Sequence, residues 1–318
     1  MSNHHQNALA RWGVIQVAGP DAVQFLHAQL SNDVAGLGEH TLRMAGLCTA
    51  KGRLLGTFFI MRKADTILLV TRKDTVAALV KRLSMFVLRS KCKVSDASAS
   101  WSIHALDHIE AFKPMQVLWP EDVSQPIRAS LRAITPANPA QQPRMPGFEL
   151  VPVVENVLAA GGDDAFELDL FELGIPYVSA ATVEMFVPQS MNFDLVGGVS
   201  FSKGCYPGQE VVARSHYLGK LKRRAVRVVS AGTTTQVSTL DWAGKDVWLI
   251  GKDNEPAGQV ITAVQQGHQW AMLVELPLDM LETPDARFEA RTDTETLPLQ
   301  VLGAPYDLHQ KGNLFEVA

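Results

Sequence analysis

A single thiol, Cys205, stands in the run Lys203-Gly204-Cys205-Tyr206-Pro207-Gly208-Gln209-Glu210, with Arg214 shortly after it. The thiolate is the reactive form of cysteine, and neighbouring cations or free backbone N–H groups lower a thiol's pKa. Lys203, Arg214 and a glycine-rich backbone therefore give Cys205 the setting of a nucleophile or redox-sensitive group. A lone cysteine is otherwise a small buried hydrophobe, and both readings stand on sequence alone. His216 follows, but nearness in sequence does not give catalytic geometry, so no Cys–His dyad is expected. Glycines at 197, 198, 204 and 208 supply positive-φ positions and let the backbone approach a ligand or another segment closely. Tyr206 can stack on a planar ligand or pack half-buried with its hydroxyl in water. Gln209 and Glu210 serve either a ligand or the loop's own backbone. Lys220, Lys222, Arg223 and Arg224 form a basic cluster that suits carboxylates or phosphates, and equally a solvated hairpin turn.

These residues need elements to hold them. Trp12 to Val17 reads as a strand, and Pro20-Asp21 opens a helix with Val23, Leu26 and Leu30 on one face. Apolar runs from Leu42 to Val70, broken at Lys51-Gly52-Arg53 and at 63–65, have the pattern of hairpin strands. Asp74 caps a helix with Val76, Leu79, Val80, Leu83 and Val87 at apolar positions. Further strands are expected at 102–106 and 148–154, and a helix from Phe166 that stops at Gly174 and Pro176. Pro136, Pro139, Pro143 and Pro146 make 134–147 an exposed connection. The stretch 172–224 shows no simple helical or strand period. From about Arg224, short alternating runs separated by turn residues predict a small antiparallel barrel. These elements give an α+β or α/β architecture with a small barrel at its end.

Composition narrows the function classes. With 47% apolar and 19% charged residues in 318, the chain has the make-up of a globular enzyme or binding protein. A net charge of −4 argues against a surface built wholly for nucleic acid, and the basic cluster lacks interleaved aromatics, so direct nucleic-acid binding is not expected. No basic n-region with a long apolar stretch opens the chain and no uncharged run is long enough to span a bilayer, so a cytoplasmic location without membrane contact is expected. Three isolated cysteines without a CxxC pair fit neither a disulfide framework nor a soft-ligand metal site, so no metal is expected.

The run from Gly198 to Arg214 (GVSFSKGCYPGQEVVAR) resembles the K-G-C-Y-x-G-Q-E signature of YgfZ-type folate-binding proteins, relatives of the glycine cleavage aminomethyltransferase (T-protein). Weaker similarity lies at Gly19-Pro20-Asp21-Ala22 with Gln29, at Ala50-Lys51-Gly52-Arg53 and at Phe186-Val187-Pro188-Gln189. The resemblance implies an α+β, aminomethyltransferase-like fold: a region 1–223 of two α/β subdomains joined by the proline-rich connection around a central cleft that takes tetrahydrofolate or a one-carbon derivative, and a β-barrel domain over 224–318. It also implies support of iron–sulfur client enzymes and, through them, tRNA modification. Glu172 aligns with the carboxylate that similar proteins use on the pterin, where two oxygens can accept paired N–H donors from a 2-aminopyrimidinone edge. Without the resemblance it is a solvated helix-end residue. The implied folate-binding set is Glu172, Gln189, Asn192, Tyr206 and Arg214, with Cys205 as the candidate catalytic thiol and the 203–210 loop closing beside the ligand.

In the glycine cleavage enzyme an aspartate pair follows a Gly-Gly turn and serves methylene transfer; Gly56 and Thr57 stand at those places here, and neither can act as a carboxylate. An accessory protein is therefore expected ahead of a folate-dependent one-carbon transferase. A pure interaction module with a vestigial cleft is the remaining class.

Overall fold

The structure is a computed structural model and describes residues 7–136, 142–153, 161–217, 219, 221–231, 242–251, 254–283 and 285–310. The first sheet is built from β1 (Trp12–Ala18), β2 (Arg43–Cys48), β3 (Leu54–Lys63), β4 (Thr66–Arg72) and β5 (Lys93–Asp96), with α1 (Ala22–Gln29) and α2 (Lys73–Val87) between them. Its spatial order is β2-β3-β4-β1-β5, all pairs antiparallel. Alternation within each strand sorts side chains to two buried faces. Phe58, Ile60, Ile67 and Leu69 join the layer under α1 and α2, whereas Phe59, Met61, Leu68 and Val70 turn to the opposite core.

That opposite core is closed by a second antiparallel sheet, ordered β6-β9-β8-β7 from β6 (Trp101–Leu106), β7 (Val117–Leu118), β8 (Ile127–Ser130) and β9 (Gly147–Pro152). Its inward residues Ile103, Ile127, Phe148 and Leu150 meet those of the first sheet. α3 (Asp163–Glu172) adds Phe166 and Leu170. Trp12 lies edge-on to Phe166 at 5.2 Å and to Tyr177 at 5.4 Å, a preferred aromatic geometry. Beside them Glu167 accepts hydrogen bonds from Arg72 and the Tyr177 hydroxyl. Burial raises the Glu167 carboxyl above its usual range, against the opposing pull of Arg72, Arg11 and Tyr177. The ends of the proline-rich connection are tied by a bridge between Ile134 and Arg144, and Pro139 lies outside the described residues.

The stretch without simple period contains a helix after all, α4 (Gln209–Tyr217). Its sequence hides it because Val212 alone is buried, so no apolar stripe forms. After it the chain closes a six-stranded barrel in the order β10-β13-β12-β11-β14-β15, from β10 (Arg223–Ser230), β11 (Asp246–Leu249), β12 (Gly258–Gln266), β13 (Gln269–Pro277), β14 (Phe288–Arg291) and β15 (Thr296–Gly303), with the short α5 (Leu278–Leu281) before β14. Val226, Val228, Met272, Val274 and Phe288 fill its interior. Outward residues Ala225, Ile261, Ala271 and Leu273 pack on Phe171, Val178, Phe186 and Met191, which fastens the barrel to the rest.

A buried ion pair reinforces that seam. Arg224, 2% exposed, donates to both carboxylate oxygens of Asp194 at 2.6 and 3.2 Å and to the Gln189 carbonyl at 2.9 Å. Arg223 donates to Glu275 at 2.7 Å. The reading as a solvated or ligand-facing cluster is thus corrected for Arg224 alone, which strand β10 carries into a buried, paired position; Arg223 keeps 38% of its side chain exposed beside Glu275, Lys222 is exposed, and Lys220 lies outside the described residues. Asp194→Ala leaves the guanidinium buried without its counter-charge, and an expected loss of about 3–5 kcal/mol follows. Urea unfolding of that variant checks the figure, and Asp194→Leu combined with Arg224→Met should regain most of the loss.

Candidate functional site

Cys205 is exposed, in a loop anchored from both sides. Upstream, the Lys203 ammonium donates to the carbonyls of His27 and, at 2.8 Å, of Leu30, at the end of α1 where carbonyls lack helical partners. It also stands 4.9 Å over the Tyr206 ring. Burial lowers the Lys203 pKa to about 8, with Asp33 and Cys205 pulling it back up. Downstream, Tyr206 is buried against Cys48, and burial first and Cys48 second push its phenol above the ordinary range. Burial also pushes the Cys48 thiol up to about 12, so at neutral pH it is a packed, protonated group.

Gly208 decides the shape of the motif. Its φ is +81°, and a Cβ there would fall 2.3 Å from the Thr49 carbonyl oxygen and 2.8 Å from Gly52. Backbone thus lies on backbone, and the Lys51-Gly52-Arg53 turn and the signature form one unit. Gln209 and Glu210 open α4, where Glu210 complements the positive helix end. Arg214 lies exposed in its last turn. The Gln189 amide, fully buried, donates to the Val212 carbonyl of α4 at 2.6 Å.

Glu172 ends α3 and keeps 45% of its side chain exposed. Arg227 of β10 donates to its Oε2 at 2.9 Å and reaches its carbonyl at 3.3 Å. Arg144 bridges Asp169 and Asp107 in the same helix's vicinity. Gly174, at φ +63°, leaves room for Tyr306, whose hydroxyl donates to the Gly174 carbonyl at 2.8 Å. Asn192 pairs with Ala225 as a strand would, its amide nitrogen donating to the carbonyl at 2.7 Å and its oxygen accepting the N–H at 3.2 Å. Gln189 and Asn192 are therefore engaged with backbone, whereas Glu172 and Arg214 face outward.

Among the described residues, Glu172 and Cys205 share no hydrogen bond and line neither of the two cavities described below. Phe171, beside Glu172, and Tyr206, beside Cys205, belong to one packed cluster with Val178, Phe186 and Met191. Neither the narrow cavity lined by Trp12, Phe59, Thr57, Tyr177 and Phe193 nor the surface groove along α2 is lined by either residue. The former, 10 Å³, has about the space of one water. Thr57 borders it, with its hydroxyl oxygen accepting the Val178 N–H at 3.0 Å. A Cβ at Gly56 would lie 2.8 Å from Leu79. Sequence reading missed Arg227 and Tyr306: Arg227 occupies an outward strand position that ordinarily faces water, and no period marks Tyr306.

No family model matches the chain. It is 27% identical over 312 residues to the tRNA-modifying protein YgfZ of Enterobacter sp. (strain 638), covering 95% of this chain and 93% of that one. The protein of the same name from Klebsiella pneumoniae (strain 342) is 28% identical over 310 residues, with 93% and 91% covered. Among solved structures, the glycine cleavage system aminomethyltransferase T from Bartonella henselae superposes with a TM-score of 0.67 at 15% identity, over 97% of this chain and 89% of that one. The chain is thus a relative of the YgfZ proteins along nearly its whole length, with an aminomethyltransferase-type fold.

Two measurements address the signature's geometry. Gly208→Ala forces a side chain into both a positive φ and the Thr49 carbonyl, so it should lower the unfolding midpoint by several degrees, corresponding to roughly 1–3 kcal/mol. Lys203 binds its proton less tightly folded than unfolded, so its unfavourable contribution is complete below about pH 8 and disappears as pH rises toward the ordinary lysine value of 10.5. Across that window the parent should gain stability relative to Lys203→Met; parallel pH profiles would contradict the assignment.

Proposed function

We propose that this relative of the YgfZ proteins binds tetrahydrofolate or a one-carbon derivative and supports cytoplasmic iron–sulfur enzymes that modify tRNA. The name of the relatives, tRNA-modifying proteins, supports the tRNA end of the reading, and the shared fold is consistent with the folate end. The observation that carries the ligand assignment is the Glu172 carboxylate. Arg227 fixes one oxygen, and among the described residues no hydrogen bond engages the other, which is free to accept from a pterin amine.

In this reading Arg227 orients the carboxylate, and Tyr306 with Asn192 holds the helix end and barrel in register. Gln189 and Asn192 position elements, and Arg214 offers an exposed cation for a glutamyl carboxylate. Cys205 acts from the adjoining face, within the field of Lys203, on client enzymes. A one-carbon transferase is the weaker reading, since Gly56 and Thr57 bring no carboxylate to the aromatic cavity.

Calorimetric titration with tetrahydrofolate should give saturable binding at micromolar ligand. Glu172→Gln should weaken it about 10- to 100-fold, the worth of a charge-assisted hydrogen bond. Absence of saturation, or equal affinity in the variant, removes the folate assignment. Cys205→Ser should leave folding and folate affinity within about twofold of the parent, yet lower the modified nucleosides measured by mass spectrometry of tRNA from cells that depend on this chain. Full nucleoside levels in that variant would exclude the thiol.

A further inference from the structure

The strongest unexplained surface lies at the far end of α2. Between Asp74 and Asp96 the chain carries Lys81, Arg82, Arg89, Lys91 and Lys93 and no acidic residue, within a protein of net charge −4. All five are exposed. Among them Met85 is 59%, Phe86 39% and Leu88 85% exposed, and Arg82 stacks over the Phe86 ring at 4.9 Å. Leu88 takes φ +44°, a backbone conformation that costs a non-glycine residue energy and here holds a leucine in water. Asp21 is the nearby acid, and its carboxylate accepts the Lys91 backbone N–H. The helix buries Val76, Leu79 and Leu83 on its other face, so the core explains neither the apolar tip nor the charge.

A groove of about 340 Å³ lies along α2, lined by Leu55, Ala78, Leu79, Val183 and Arg82, and Arg82 is the residue it shares with the tip. Acidic Asp74 and Glu184 border it as well. Thr49 lines it too, and the carbonyl of Thr49 is the atom against which Gly208 packs. The groove therefore joins the basic tip to the turn beneath the thiol signature.

We propose that this surface docks an amphipathic segment of a partner protein, apolar along the groove and acidic where it reaches Lys81, Arg82 and Arg89. The mode is a helix laid in a groove, steered by opposite charge. A lipid bilayer cannot enter a concave trough, and an RNA strand would leave Met85 and Leu88 in water while using only the cations. The assignment is independent of folate binding.

A fluorescein-labelled peptide of about four helical turns, with leucines on one face and glutamates on the other, tests it by anisotropy against the full chain. Expected is saturable binding that weakens as salt rises past the screening range of about 0.1 M. Arg82→Glu with Arg89→Glu should lower affinity about tenfold or more, and Met85→Ser with Leu88→Ser should do likewise. Ala78→Trp, which fills the groove, should abolish binding; all three sets change exposed positions, and circular dichroism and thermal unfolding confirm that each folds. A peptide with lysine in place of glutamate should not bind. Lack of saturation, or unchanged affinity in the variants, overturns the proposal. So does binding of phosphatidylserine vesicles or single-stranded RNA at these residues while the acidic peptide fails to bind.

Discussion

A guanidinium sealed from water beside its carboxylate, Arg224 against Asp194, is the constraint on which the arrangement of this molecule depends. The terminal nitrogens of Arg224 are engaged by Asp194 and the Gln189 carbonyl, and removing either charge would leave the other buried without its counter-charge, which ties β10 to the segment between Phe186 and Gly198. That segment touches the barrel, α4 and the layer of the first sheet. Asn192 extends the β10 ladder, Gln189 receives Arg224 on its carbonyl and holds α4 through its amide, and the carbonyls of Gly197 and Gly198 accept Asn32 and Ser31 of the first layer. A short irregular stretch, poor in secondary structure, thereby sets the barrel, the helix of the signature and the first sheet relative to one another.

The signature gains its shape from the same economy of space. Two glycines at positive φ, Gly52 and Gly208, let two turns meet backbone to backbone, while Lys203 closes the end of α1. Cys205 is the exposed thiol of this fastened loop, in contrast to Cys48, whose burial keeps it protonated. On the barrel side, Glu172 owes its orientation to Arg227, so the carboxylate is placed by a strand that lies far from it in the chain. Phe171, next to Glu172, and Tyr206, next to Cys205, are both members of one apolar cluster.

Periodic segments were readable from the chain itself. β1, α1, α2 and all six barrel strands follow from alternation, from the 3.6-residue stripe and from turn residues, because each buries one regular face. The Lys203–Glu210 run was readable as a glycine-shaped thiol loop for the same local reason: residue types with unusual backbone freedom cluster there. The sequence by itself also pointed to a mixed helix-and-strand architecture ending in a barrel, and it places no carboxylate at 56 or 57. Tertiary structure alone decided that α4 is a helix, since a single buried residue leaves no stripe; that Arg224 is buried rather than solvated, since its partner Asp194 comes from another segment; and that Glu172 meets Arg227 and not Cys205. Those outcomes rest on contacts between residues far apart in the chain, where charge and volume are matched only after the layers have packed, and no local pattern encodes them.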